Sequence, residues 1–240
     1  VFVEALDDAY ADYQLGVITT DLTDGGVLVG PTITPDTESL AVSFLELVDV
    51  GTEGSRDEQG LAAALFATAG PTNPGFMRDA AELHVVVFSD EDDQSPEPVD
   101  FYVGQLEDAA GAAGMTVHAI VGDLPEGCAS GVTAADPSTR YIEAVELTGG
   151  FEDSICAQSY EGILEKVGLD VAGLNDTFLL ERLPEEATLQ VWVDGVLIPQ
   201  RDEDGWTYAV GDNALVFTGR AIPRPGMEVF VEYELLAGSD

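Results

Sequence analysis

The groups in this sequence that could do chemistry are two acidic loops, two histidines and two cysteines. The run FSDEDDQS (88–95) sets Asp90, Glu91, Asp92 and Asp93 between the hydroxyls of Ser89 and Ser95. Carboxylate and hydroxyl oxygens are the ligands that Mg²⁺ and Ca²⁺ take. Asp90 is the first acid past the apolar stretch LHVVVF and is best placed to reach a ligand at the carboxyl end of a strand. A solvated charge run is the ordinary alternative in so acidic a chain. The loop GTEGSRDEQGL (51–61) precedes a helical pattern and offers Thr52 and Ser55. Their ordinary role is helix capping, with Ser55 or Asp57 accepting backbone N–H groups.

His84 and His118 lie inside apolar runs, which predicts buried structural imidazoles. There is no G-x-S-x-G, no H-E-x-x-H and no phosphate-binding loop; VGTEGS (50–55) lacks the lysine such a loop uses. Carboxylate pairs for acid–base work carry little information in a chain with 46 acids. No catalytic residue is assigned, no ligand-contacting residue is named beyond the metal candidates, and an enzyme is not expected. Cys128 and Cys156 are too few for a four-ligand zinc site. Two free thiols and one disulfide both remain open. Placement in two flanking loops favours the disulfide, and with it an oxidising compartment.

These residues need elements to position them. YQLGVITTD (13–21) reads as a strand, residues 37–48 and 57–68 as helices, and LHVVVFSD (83–90) as a strand buried on both faces. A helix is expected over 97–113, a second buried strand over 115–123, and a helix over 138–147 closed by Gly149 and Gly150. A short strand near 151–155 and a helix over 158–168 follow. Residues 1–13 read as the second half of a helix, with Phe2, Leu6 and Ala9 on one face. The alternation predicts an α/β domain with a mainly parallel sheet over 1–172.

After residue 172 the period switches to two. TLQVWVDG, GWTYAV, NALVFTG and MEVFVEYEL read as strands of a small β-rich, sandwich-like module over 173–240. Trp192, Trp206, Tyr208, Phe217 and Phe230 are expected to form its core. Alternation nevertheless places Trp192 beside Gln190 and Asp194, making it the aromatic most exposed to solvent.

The charge balance excludes partners. Eight Lys plus Arg against 46 Asp plus Glu leave a net charge of −38, and Lys166 is the single lysine. Nucleic-acid backbones and anionic membranes are repelled. Hydrophobic residues at 45% still provide for a core, so the acidity marks a surface suited to high salt rather than disorder. No stretch approaches the roughly 18 apolar residues of a membrane span. Asn175-Asp176-Thr177 fits the N-glycosylation pattern by composition.

Taken in order, DYQLGVITTD (12–21), GTEGSRDEQGL (51–61), HVVVFSDEDDQS (84–95), VHAIVGD (117–123) and RYIEAVELTGGFEDSIC (140–156) resemble a von Willebrand factor type A domain. The likeness is to bacterial surface or lipoprotein forms followed by a short β module. It covers about residues 1–170, more loosely 176–236. It implies a doubly wound α/β fold and an adhesion site in which three loops hold a divalent ion, usually Mg²⁺, with Ca²⁺ or Mn²⁺ as substitutes. A partner protein's carboxylate completes the shell. Asp90 matches the third-loop aspartate. Ser55 matches the second-loop threonine, with Thr52 as the alternative. No D-x-S-x-S of the first loop occurs in 1–240; Asp93-Gln94-Ser95 is a partial match in another place. The likeness implies that the chain starts inside the helix after that loop. It also favours the Cys128–Cys156 disulfide, export to the cell surface, outer membrane or periplasm, and a lipid anchor upstream. A metal-free interaction protein and a carboxylate hydrolase are the alternatives.

Overall fold

The computed structural model describes residues 2, 3, 6, 11–51, 54–131, 134–174, 176–224 and 226–236. Thr52, Asn175 and Ala9 lie outside the described residues. The chain divides into two compact units. One comprises Val1–Glu4 with Asp12–Val167, the other Ala5–Ala11 with Gly168–Asp240.

The first unit is α/β. Helices α1 (Leu40–Val48) and α2 (Gly60–Thr68) precede strand β1 (Leu83–Phe88), helix α3 (Val99–Ala110) and strand β2 (Met115–Val121). The short strands β3 (Cys128–Ala129) and β4 (Ala134–Ala135) pair with each other, and helix α4 (Thr139–Thr148) leads to strand β5 (Glu152–Ser154). Helix α5 (Glu161–Val171) follows and runs past the end of this unit at Val167. The main sheet has the order β1-β2-β5 and is parallel throughout, with Leu83 opposite Met115 and Ala119 opposite Glu152. Every residue of β2 is buried, as a continuous apolar run in a sheet covered on both faces requires. Val117, Ala119 and Val121 share a core with Leu61 of α2, Leu106 of α3 and Tyr141 of α4.

Three expectations fail locally. Strand β1 is not buried on both faces: Leu83 and Val87 are buried, His84, Val85 and Val86 are half-buried and Phe88 is exposed. Residues 13–21 form no strand of the sheet; they make isolated bridges, Leu15 to Ile33 and Asp21 to Glu58. Their hydrogen-bonding groups are taken by nearby loops: Leu15 and Ile33 exchange N–H and C=O, Val29 donates to Val17, and Gln59 donates to Thr20. Scattered pairings of this kind do not add up to a ladder. Helix α1 begins three residues later than expected, because Ser39 sits at φ 53° and interrupts the helical path.

A disulfide joins Cys128 to Cys156 with a Cα–Cα distance of 6.0 Å, within the ordinary span of such bridges. It ties β3 to the segment just past β5. No helix among the described residues is long and apolar enough to cross a membrane.

The second unit contains β6 (Thr177–Leu179), β7 (Gln190–Val193), β8 (Val196–Ile198), β9 (Trp206–Ala209), β10 (Ala214–Phe217) and β11 (Val229–Glu232). They form two antiparallel three-stranded sheets, β6-β10-β9 and β11-β7-β8. Both contribute to one core of Val191, Val193, Trp206, Leu215 and Phe217. Asp194 (φ 47°) and Gly195 (φ 76°) make the tight turn from β7 to β8. The expected aromatic core is corrected in part. Trp206 and Phe217 are buried and Tyr208 packs against them, whereas Phe230 is exposed and Trp192 half-buried. The pleat decides this: Val191 and Val193 point inward from β7, and Val229 and Val231 from β11, so their neighbours face out.

Candidate cation site

Loop 89–95 leaves β1 at the carboxyl end of the parallel sheet, and its acids divide into two kinds. Asp92 and Asp93 are tied to helix N-termini. The Asp92 carboxylate accepts the Arg140 N–H at 2.9 Å and the Thr139 hydroxyl at 2.5 Å, capping α4 in place of Ser138. Asp93 Oδ1 accepts the Leu61 N–H at 3.1 Å, and Ser95 Oγ accepts that of Ala62 at 3.0 Å, so both cap α2. Carboxylates at helix N-termini satisfy orphan N–H groups and meet the positive end of the helix dipole. Gln59, the residue before α2, makes no side-chain cap, which leaves the place open for this remote loop. The Tyr141 hydroxyl accepts the next N–H, that of Gly60, at 3.2 Å. A Cβ at Gly60 would run into that hydroxyl, so glycine is required there. Burial pushes the ionisation of Tyr141 above the usual tyrosine range.

Asp93 is fully buried as a side chain, and Arg140 Nε lies 3.0 Å from its Oδ2. The same guanidinium donates to the carbonyls of Ser95 and Glu97. The expected solvated run is thus half structural, and Asp93-Gln94-Ser95 is a helix cap.

Asp90 is different. Its carboxylate is exposed, while its carbonyl accepts the Asp136 N–H at 2.9 Å and holds the loop in place. Glu58 comes in from the 51–61 loop. Its Oε2 receives the Ser89 hydroxyl at 2.5 Å, and its carbonyl receives the Gln94 N–H at 2.7 Å. Burial, and then the like charges of Asp90 and Glu91, raise the Glu58 pKa above the ordinary carboxylate value. Repulsion among hard oxygen ligands of this sort is what a divalent cation relieves.

Ser55 is placed by Asp21. Its N–H donates to Asp21 Oδ2 at 2.8 Å, and its Oγ accepts the Asp57 N–H at 3.0 Å. Asp21 also accepts the hydroxyl and N–H of Thr23, and these bonds lower its pKa. Among the described residues no hydrogen bond joins Ser55 to Asp90; Glu58 and Gln94 link the two loops instead. Glu58 and Arg140 are the residues that sequence reasoning missed. The one available signal was Gln59, a poor N-cap type, directly before α2; Ser138 before α4 gave none, since serine is a usual cap.

The histidines behave as expected of buried imidazoles. His84 and His118 stack with ring centroids 5.5 Å apart, and His118 is fully buried. Their ring nitrogens come close enough to share an ion. The hydrogen bonds oppose this. His118 Nδ1 accepts the Phe151 N–H at 3.1 Å, so its proton sits on Nε2 and points at His84 Nδ1, 3.2 Å away. A metal on His118 Nε2 would need that proton removed while Nδ1 still acts as acceptor, the reverse of the usual metal-bound histidine. Burial, and then His84, lower the His118 pKa to about 4.

Comparisons with family models, curated proteins and solved structures return no match.

Proposed function

We propose that this chain is a von Willebrand factor type A-like binding module of the cell envelope, which uses a divalent cation at the acidic end of its parallel sheet to hold a carboxylate of a partner protein. The supporting observation is the division of labour in loop 89–95. Asp92 and Asp93 are spent on capping, while Asp90 stays exposed beside the raised carboxyl of Glu58. The oxygen-only donor set suits Mg²⁺, with Ca²⁺ or Mn²⁺ as substitutes. Asp90 would hold the ion, Ser55 or Thr52 would supply a hydroxyl, and Glu58 would balance its charge. The bound ion would supply an open coordination position for the partner's carboxylate. The chain's own part is to keep the site acidic and, through the Asp92 and Asp93 caps, to fix the loop that carries Asp90.

Further support comes from topology: the described sheet β1-β2-β5 is parallel, and loop 89–95 leaves its carboxyl end. The disulfide favours an extracytoplasmic location, since such bonds persist in oxidising compartments.

Calorimetric titration of Mg²⁺ into the protein and into Asp90→Ala tests the proposal. Binding in the parent that weakens at least tenfold in the variant is expected. Equal binding in both, or none in the parent, would sink it. The second reading, a metal-free interaction protein of the same fold, draws on Ser55, whose Oγ is already engaged by Asp57 and which has no bond to Asp90.

A further inference from the structure

The sheet β11-β7-β8 has one face in the core of its unit and the other in solvent. On the solvent face the register sets Phe230 opposite Trp192, and Trp192 opposite Leu197. These three make a continuous apolar row across all three strands. Phe230 is 56% exposed and Leu197 58%. The Trp192 and Phe230 rings touch, with centroids 5.5 Å apart and planes tilted by 50°. Such a row could have been polar at no cost to the core, which Val191, Val193, Val229 and Val231 line from the other side. An exposed apolar patch rimmed by polar groups marks an interaction site.

The rim selects the occupant. Gln190 pairs with Glu232 at one end of the row, on the same face. At the other end Asp194 and Glu228 are joined, with the Asp194 N–H donating to the Glu228 carbonyl and the Glu228 N–H to Asp194 Oδ1. None of the three strands carries a lysine or arginine. Aromatic faces are themselves negative, and a ring pair bordered by carboxylates attracts a cation by both routes. A second copy of this chain would bring the same carboxylates against these. A saccharide chain stacks across coplanar rings, and these are tilted by 50° to each other.

We propose that the outer face of β11-β7-β8 docks a basic segment of a partner protein, with an arginine side chain over the Trp192 and Phe230 rings and its charge met by Glu228 and Glu232.

The test is calorimetry in 1 M NaCl, where long-range attraction to a −38 chain is screened to about 3 Å. The probes are an acetylated, amidated pentapeptide alternating glycine and arginine, its citrulline counterpart, and a neutral cellohexaose. The arginine peptide is expected to bind, and to bind at least fivefold tighter than the citrulline peptide. Binding should weaken at least fivefold in Phe230→Ala, and also in Glu228→Gln/Glu232→Gln, which keeps both rings. Cooperative urea unfolding, followed by far-UV circular dichroism, checks that each variant is folded. Equal binding of the two peptides, or of parent and Phe230→Ala, overturns the proposal. Binding of cellohexaose alone overturns it in favour of a sugar platform, and concentration-dependent sedimentation without peptide overturns it in favour of self-association.

Discussion

Asp93 and Arg140 meet at 3.0 Å with the carboxylate fully buried, and through this contact the acidic loop is fastened to α2 and α4 together. Removing the cation leaves a buried charge uncompensated, which costs about 3–5 kcal/mol. Arg140→Met should therefore lower the urea midpoint by that equivalent. Arg140→Lys should recover only part of it, because one ammonium cannot reproduce the fork that also reaches the Ser95 and Glu97 carbonyls. Asp92→Ala removes a cap alone and should cost about 1 kcal/mol. A midpoint unchanged in Arg140→Met would show that the pair carries no stability.

Glu58 gives a pH prediction of defined sign. Its folded pKa is raised, so the folded chain holds this proton more tightly than the unfolded one. The associated stability is present at low pH and lost as pH rises through the folded value. Glu58→Gln removes the charge and keeps an acceptor for Ser89. It should raise the melting temperature at pH 7 and make little difference near pH 4. Saturating Mg²⁺ should narrow the gap at pH 7 by stabilising the parent more. Melting curves from pH 4 to 8, with and without Mg²⁺, read this directly. A variant less stable than the parent at neutral pH contradicts it.

His118 acts in the opposite sense. Its pKa falls to about 4 in the folded chain, below the unfolded value of about 6.5. The unfolded chain therefore binds more protons between those values. Stability from this group is complete above about pH 6.5 and is lost as pH falls toward 4, by about 3 kcal/mol in all. In His118→Gln the urea midpoint should decline less steeply over that window, although the variant starts lower at pH 7. Parallel declines would show that the imidazole is not the group responsible.

Reduction of Cys128–Cys156 opens a loop with a sequence separation of 28. The loop-entropy estimate for that length is about 3.5 kcal/mol. Dithiothreitol should lower the thermal midpoint by the corresponding amount, and Cys128→Ser/Cys156→Ser should match reduced parent protein. The double variant should show no further response to reductant. A midpoint insensitive to reductant in the parent would mean that this bond adds nothing to stability.

The apolar runs at 83–88 and 115–121 declared two strands; β2 is buried throughout, as a strand covered on both faces needs no alternation, whereas β1 is only partly buried and ends in an exposed Phe88. Gly149 marked the end of α4, which it closes at φ 74°. The period-two segments after residue 172 likewise foretold a β-rich module, and the parity of Trp192 already pointed it outward. Phe230 was misjudged because its strand was read for composition rather than for which parity meets the core. Segment 13–21 was misjudged because β-branched residues state only a preference for extended backbone, and the ladder depends on a partner.

The sequence by itself determined most of the helices and strands from residue 37 onward and the acidity of the loop after β1, since these depend on periodicity and composition within short windows. Only the tertiary structure decided what each acid does. Asp92 and Asp93 are caps because Thr139, Arg140 and Leu61, some 30 to 50 residues away in the chain, present unsatisfied N–H and O–H groups to them. Asp90 is left exposed, and among the described residues no helix N–H is bonded to its carboxylate. Hydrogen-bond satisfaction is a pairwise property in space, so identical side chains at most three positions apart acquire different roles.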